Sequence, residues 1–144
     1  MNQKRILGLD VGDARIGVAI SDPLELTAQP FEVIPRKKDK REINRIKELI
    51  DTYQVESIVI GLPRATDGNL SAQGKKIKDF AEELVRKLSV GIVFKDEYLT
   101  TQRAEEILIE SGMRREKRRD MIDKISASLI LQGYLDEKRF KEVK

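Results

Sequence analysis

The sequence predicts an α/β domain: a mixed five-stranded sheet with helices on both faces. Three observations lead there. Three short apolar runs succeed one another before residue 35, separated by turn-length gaps. Beyond them, segments with helical apolar spacing alternate with β-branched runs. Finally, 144 residues, 40% of them apolar, can bury one core without staples, and no linker, repeat or low-complexity stretch divides the chain. Residues 1–144 therefore read as a single domain.

The elements follow in order. Ile6 to Leu9 is an apolar strand that runs into Asp10, and Gly12 and Asp13 supply a turn. Ile16 to Ile20 returns as a second strand of a hairpin. Asp22-Pro23 marks the next turn, and Phe31 to Ile34 is a third strand closed by Pro35. Ile43, Ile46, Ile50 and Tyr53 keep helical spacing, and Ser57 to Gly61 reads as a buried strand. A loop follows from Leu62 to Asn69. Ile77, Phe80, Ala81, Leu84 and Leu88 share one face of a second helix, and Gly91 to Phe94 is a fifth strand ending in Asp96 and Glu97. Thr100 or Thr101 caps a third helix that Gly112 ends. A basic connector then precedes a last helix from Met121 to about Arg139.

Two absences exclude much chemistry. Without cysteine there is no disulfide framework, thiolate nucleophile or cysteine-held metal. Without histidine there is no Ser-His-Asp triad and no usual general base near pH 7. Carboxylates, lysine, serine or threonine, or a carboxylate-held cation must carry any catalysis, and Mg²⁺ and Mn²⁺ prefer oxygen ligands. The 28 Lys and Arg against 25 Asp and Glu leave only +3, so a nucleic-acid reading depends on where the cations sit. No apolar run approaches the roughly 20 residues of a membrane span, and no signal-peptide core opens the chain, so a soluble cytoplasmic protein is expected.

Three acidic positions stand apart from the solvated majority. Asp10 ends the first apolar run, Asp96 and Glu97 end the fifth strand, and Asp123 sits among Met121, Ile122, Ile125, Leu129 and Ile130. That last stretch is apolar nearly all round, so its helix should pack on more than one side. Ser126 and Ala127, one turn on from Asp123, would let it approach a sheet closely. Carboxylates in such places must be paired or hold a metal. Functional groups in open α/β sheets collect at strand carboxyl ends. Three carboxylates meeting there would hold one or two Mg²⁺ or Mn²⁺ ions and support phosphodiester hydrolysis. Each acid also has a plainer role: Asp10 as a turn residue beside Gly12, Asp96-Glu97 as a lead-in to the Thr100 cap, Asp123 as a partner for Arg119 or Lys124.

The same residues carry a family resemblance. The run Gly8-Leu9-Asp10-Val11-Gly12-Asp13-Ala14-Arg15-Ile16-Gly17-Val18-Ala19 resembles the first motif of the YqgF family, also called RuvX. Val59-Ile60-Gly61-Leu62-Pro63 with Asp67-Gly68 resembles its second motif, and Asp96-Glu97-Tyr98-Leu99-Thr100-Thr101 its acidic third. Asp123 with Ala127 and Ile130-Leu131-Gln132 resembles the last. The family comprises pre-16S rRNA nucleases and Holliday-junction resolvases. The resemblance implies an RNase H-like fold, with an antiparallel β1-β2-β3 meander plus parallel β4 and β5. It implies Asp10, Glu97 and Asp123 as the catalytic and metal-holding acids, with Asp96 the rival of Glu97. Two positions depart from the pattern. Tyr98 stands where the third motif usually has arginine, and Gly61 ends the fourth strand where related resolvases carry an acid.

Basic residues cluster twice, at Arg36, Lys37, Lys38, Lys40 and Arg41, and at Arg114, Arg115, Lys117, Arg118 and Arg119. The second cluster lies just before Asp123 and suits phosphate contacts; the first reads equally as a solvated loop. Arg15, Arg64, Gln73 and Lys75 are further candidate substrate contacts. With only 5% aromatic residues, backbone and shape recognition is expected in preference to base stacking. The expected partner is structured RNA or branched DNA, bound by a monomer or homodimer. A metal-dependent nuclease maturing the 5′ end of pre-16S rRNA is the first expectation, from the resemblance. Holliday-junction cleavage is the alternative, and a non-catalytic nucleic-acid-binding module the third. An actin-like ATPase, suggested by Asp10-Val11-Gly12, would need a second lobe that 144 residues do not supply.

Overall fold

β1 (Arg5–Val11), β2 (Arg15–Ser21) and β3 (Ala28–Pro35) form an antiparallel meander. Helix α1 (Arg41–Tyr53) leads to β4 (Val55–Pro63), α2 (Ala72–Lys87) to β5 (Gly91–Glu97), and α3 (Thr100–Glu110) and α4 (Arg115–Val143) close the chain. This computed structural model describes residues 4–63, 70–97 and 100–143, apart from the side chains of 97, 100–102, 116, 119, 120, 142 and 143. The sheet order is β3-β2-β1-β4-β5, with β1, β4 and β5 parallel. The expected order of elements and the mixed sheet are both found.

Strand alternation separates two apolar layers. Leu7, Leu9, Val11, Ile16, Val18, Ile58, Ile60 and Leu62 meet α1 and α2 through Ile43, Ile46, Leu49, Ile77, Phe80 and Leu84. The opposite face puts Ile6, Ala19 and Val59 against Ala127, Ile130, Leu131 and Leu135 of α4. Helix α3 packs on α4, so α4 is covered by the sheet on one side and a helix on the other. The all-round apolar character read around Asp123 has this cause. Among the described residues no helix is long and apolar enough to cross a membrane.

The ends of the elements have local reasons. Gly112, at φ 76°, terminates α3, and its amide and that of Met113 return to the Ile109 and Leu108 carbonyls. Ser71 Oγ accepts from the Gly74 amide at 3.0 Å and donates to the Pro63 carbonyl at 3.0 Å, joining the end of β4 to the start of α2. Several boundaries differ from the sequence reading, β3 for one starting at Ala28 in place of Phe31. β1 continues through Asp10 because Asp10 still pairs with Gly17, and β4 continues through Leu62 and Pro63 because β5 pairs with them. Helix α4 starts at Arg115, six residues before Met121, so the basic connector is largely helical. Arg, Lys and Glu are good helix formers, and the Arg118 amide already donates to the Arg114 carbonyl at 2.9 Å. Thr100 and Thr101 lie inside α3, so neither stands before the helix as the expected cap.

The β2–β3 loop is organised by Asp22, whose carboxylate accepts from the amides of Leu24, Leu26 and Thr27 at 3.2, 2.7 and 2.8 Å. Desolvation raises its pKa, but the hydrogen bonds from Thr27, Leu26 and Leu24 together outweigh it and hold the carboxyl below its ordinary 3.8. A group with a depressed folded pKa stabilises the protein above its unfolded pKa, and that contribution disappears as pH falls through the folded one. Asp22→Ala should therefore cost about 1–2 kcal/mol at neutral pH, from the lost charge-assisted bonds. In urea unfolding, the gap between wild type and variant should close as pH falls below about 3.8.

Candidate functional site

The parallel strands β1, β4 and β5 end at one edge of the sheet, and the turn between β1 and β2 lies at the same edge. Asp10 sits one residue before the end of β1, directly across from Gly17 of β2. Paired residues share a face, and Gly8 and Asp10 lie on the side covered by α4. At Gly17 the helix backbone comes close. A Cβ on Gly17 would stand 2.0 Å from the Asp123 carbonyl oxygen and 2.9 Å from the Asp123 Cβ. At Gly8, a Cβ would stand 2.7 Å from the Leu131 Cβ and 2.9 Å from the Ala127 carbonyl. Two missing side chains thus let α4 lie directly on the hairpin, which seats Asp123 on the residue that pairs with Asp10. Ser126 and Ala127 are fully buried at this contact, as their small size led us to expect.

The Asp123 carboxylate is engaged by Arg15, whose Nε donates to Oδ2 at 2.6 Å. This partner comes from β2, whereas the sequence points to Arg119 or Lys124 on its own helix; the Arg119 side chain lies outside the described ones. Asp123 is 21% exposed and Arg15 48%. A pair so open to water is worth only about 1 kcal/mol or less, so either group can be recruited by a stronger partner.

Register assigns the two acids of β5 to different rows. Gly61 pairs with Lys95 and Pro63 with Glu97, while Leu62 pairs with Asp96. Lys95 faces α4, where it bonds Glu137 and approaches Gly133. Position 97 has the parity of Lys95 and of Val93, which packs in the α4 layer. Asp96 has the parity of Phe94 and Ile92, the row facing α2, where Lys78 lies over the Phe94 ring at 5.9 Å. The Glu97 side chain itself is outside the described ones. Among the described residues no group of three acids is close enough to hold an ion; Asp123 is seated on Gly17, the residue that pairs with Asp10. The oxygen donors of Asp10 and Asp123, at the end of a β-strand and on the helix laid against it, suit a hard cation.

The basic residues divide by what they touch. Arg114 and Arg115 are exposed, two helical turns or about 12 Å before Asp123. Arg118 instead turns back to donate to the Met113 carbonyl at 2.9 Å, securing the α3–α4 junction. Lys75 is exposed on the first turn of α2, and its neighbour Lys76 approaches Asp13 of the β1–β2 turn at 3.7 Å. The Arg119 side chain, Arg64, the Asp67-Gly68 pair and Tyr98 lie outside what the structure describes. The first basic cluster is largely structural. Arg36 donates to Glu42 at 3.1 Å and to the Gly12 carbonyl at 2.8 Å, and its guanidinium lies 5.0 Å from the Phe80 ring. Lys40 pairs with Glu83 and Arg41 with Asp39. Arg36, Lys37, Lys38 and Lys40 line a cleft of 590 Å³ between the β1–β2 turn, α1 and α2, on the sheet face away from Asp123.

Sequence reasoning missed Gly8 and Gly17 as site-forming residues. The available signal was glycine inside two adjacent strands, which marks close backbone approach, together with small residues next to Asp123. It also missed Arg36 as the latch of the Gly12 turn, because a run of five cations disguised one that faces inward.

A mixed five-stranded sheet of this order, with an acid near the end of its first strand and another on the helix that packs across it, is an RNase H-like arrangement. Thermus thermophilus RuvC in complex with Holliday junction substrate has this fold, at TM-score 0.58 and 15% identity, over 95% of this chain and 96% of that one. The family model RuvX, described as Holliday junction resolvase, matches residues 4–137, and the chain belongs to that family. A relative from Halothermothrix orenii, named "Putative pre-16S rRNA nuclease", is 50% identical over 132 residues, or 92% of this chain and 94% of its own length. One of the same name from Desulforamulus reducens is 47% identical over 132 residues, or 92% of this chain and 96% of its own length.

Proposed function

We propose that this protein is a nuclease that hydrolyses phosphodiester bonds in maturing the 5′ end of pre-16S rRNA in the cytoplasm. The observation that carries the reading is the seating of Asp123 on Gly17, directly across from Asp10. The names of the two relatives supply the substrate. Asp10, Glu97 and Asp123 would hold Mg²⁺ or Mn²⁺, and the parity of β5 favours Glu97 over Asp96 as the third ligand. When bound, the cation activates a water and stabilises the leaving oxygen. The chain's own contribution is placement. Asp10 is fixed by the β1–β2 ladder, and Asp123 by the glycine contacts that seat α4. Arg15, Lys75, Arg114 and Arg115 would grip phosphates around the scissile bond, and Arg64, Arg118 and Arg119 are proposed for the same role from their place in the sequence.

Exposed cations of this kind hold the backbone without reading bases. Arg114→Ala with Arg115→Ala should weaken RNA binding similarly across sequences. It should also lower the slope of log affinity against log salt by about 1.4–1.8, two phosphate contacts' worth. Binding titrations at several salt concentrations check this.

Junction cleavage is the second reading, favoured by the description of the matching family. It requires two symmetric cuts and hence a homodimer, whereas a monomer suffices for RNA maturation. Labelled pre-16S 5′-leader RNA and a four-way DNA junction, incubated side by side with Mg²⁺, Mn²⁺ or chelator, distinguish the two. Metal-dependent cutting of the RNA alone is the expected result. Paired, symmetric cuts in the junction alone would transfer the assignment to the resolvase, and no cutting of either would leave a binding module.

A further inference from the structure

We infer that Arg15 competes with the divalent cation for the Asp123 carboxylate, and that a substrate phosphate decides the competition by drawing Arg15 to itself. Arg15 thereby couples nucleic-acid binding to metal loading. The inference rests on the reading that Asp10 and Asp123 hold the cation.

The geometry gives Asp123 two claimants. Arg15 Nε sits 2.6 Å from Oδ2, and Asp10 lies in the adjacent strand across from Gly17, against which Asp123 is packed. While Arg15 holds that oxygen, its positive charge also opposes a second cation nearby. Arg15 is anchored as the first residue of β2, where its carbonyl accepts from the Gly12 amide at 2.9 Å, but its side chain is about half exposed. The guanidinium is therefore reachable from solvent without moving the backbone. A phosphate offers the planar guanidinium two oxygens, the geometry that arginine binds bidentately. Transfer of Arg15 to a phosphate would release Asp123 towards Asp10, and the site would gain negative charge as the substrate arrives. Coupling of this kind is reciprocal: the cation must strengthen nucleic-acid binding by the factor by which nucleic acid strengthens cation binding.

The test is a double-mutant cycle on the folded full chain, read by calorimetric titration with Mn²⁺ alone. Arg15→Gln should raise Mn²⁺ affinity roughly fivefold, a typical coupling. Asp123→Asn should lower it, and adding Arg15→Gln to Asp123→Asn should restore nothing. An unchanged or weaker affinity in Arg15→Gln would overturn the inference. So would an equal gain in the Asp123→Asn background, since that would reflect a general field and not release of Asp123. If Asp10→Asn and Asp123→Asn both leave Mn²⁺ affinity untouched, the metal reading itself fails and takes the inference with it. A second arm uses Ca²⁺ with leader RNA. The RNA should raise Ca²⁺ affinity in wild type and markedly less in Arg15→Gln; equal enhancement in both would contradict the exchange.

Discussion

Asp10→Asn should abolish cleavage, by on the order of 10³-fold or more, and leave the fold in place. The substitution is nearly isosteric, and the backbone of residue 10 keeps its pairing with Gly17. What changes is charge. The proposed cation ligand on β1 becomes neutral and can no longer neutralise a divalent cation. Outside the core layers a change of this kind stays within about 0.5 kcal/mol of wild-type stability. Single-turnover cleavage beside thermal unfolding separates the two effects. Cleavage within tenfold of wild type would remove Asp10 from the chemistry.

Gly17→Ala adds one methyl group, yet it is expected to disable the site and destabilise the protein together. The new Cβ would meet the Asp123 carbonyl oxygen at 2.0 Å and its carbon at 2.4 Å. These are backbone atoms of a helix packed on both sides, so no flexible side chain can give way. Overpacking costs about 1–3 kcal/mol, and a backbone clash belongs at the upper end. Helix α4 must retreat, and Asp123 retreats with it; a displacement of about 1 Å at a catalytic group can cost 10²-fold in rate. Gly91→Ala is the control, because its nearest atoms, the Glu56 carbonyl and the Ser57 Cβ, stand 3.9 Å away. Urea unfolding and cleavage should therefore both fall sharply in Gly17→Ala and stay near wild type in Gly91→Ala. Wild-type behaviour of Gly17→Ala would mean that the close seating of α4 is not what joins the two acids.

The strands and helices were legible because each is written locally, as β-branched runs, as helical spacing, or as a terminating glycine at Gly112. The acids were legible as types in odd places, since Asp10 and Asp123 each interrupt apolar surroundings. What joins them was not. Arg15 and Asp123 are 108 residues apart, and their contact depends on α4 crossing the hairpin at Gly8 and Gly17. The choice between Asp96 and Glu97 likewise needs strand register, because adjacent residues in a strand fall on opposite faces and spacing cannot say which face α4 covers. Charge runs were read too uniformly. Arg36 and Arg118 belong to clusters that look solvated, yet each turns inward to a backbone carbonyl.

The central claim is that Asp10 and Asp123 form one cation-holding centre with Glu97. Its most direct test is anomalous diffraction from crystals soaked in Mn²⁺. A peak between the Asp10 and Asp123 carboxylates, with Arg15 displaced from Asp123, is the predicted result. A peak elsewhere, or none at a Mn²⁺ concentration that supports cleavage, would contradict the account.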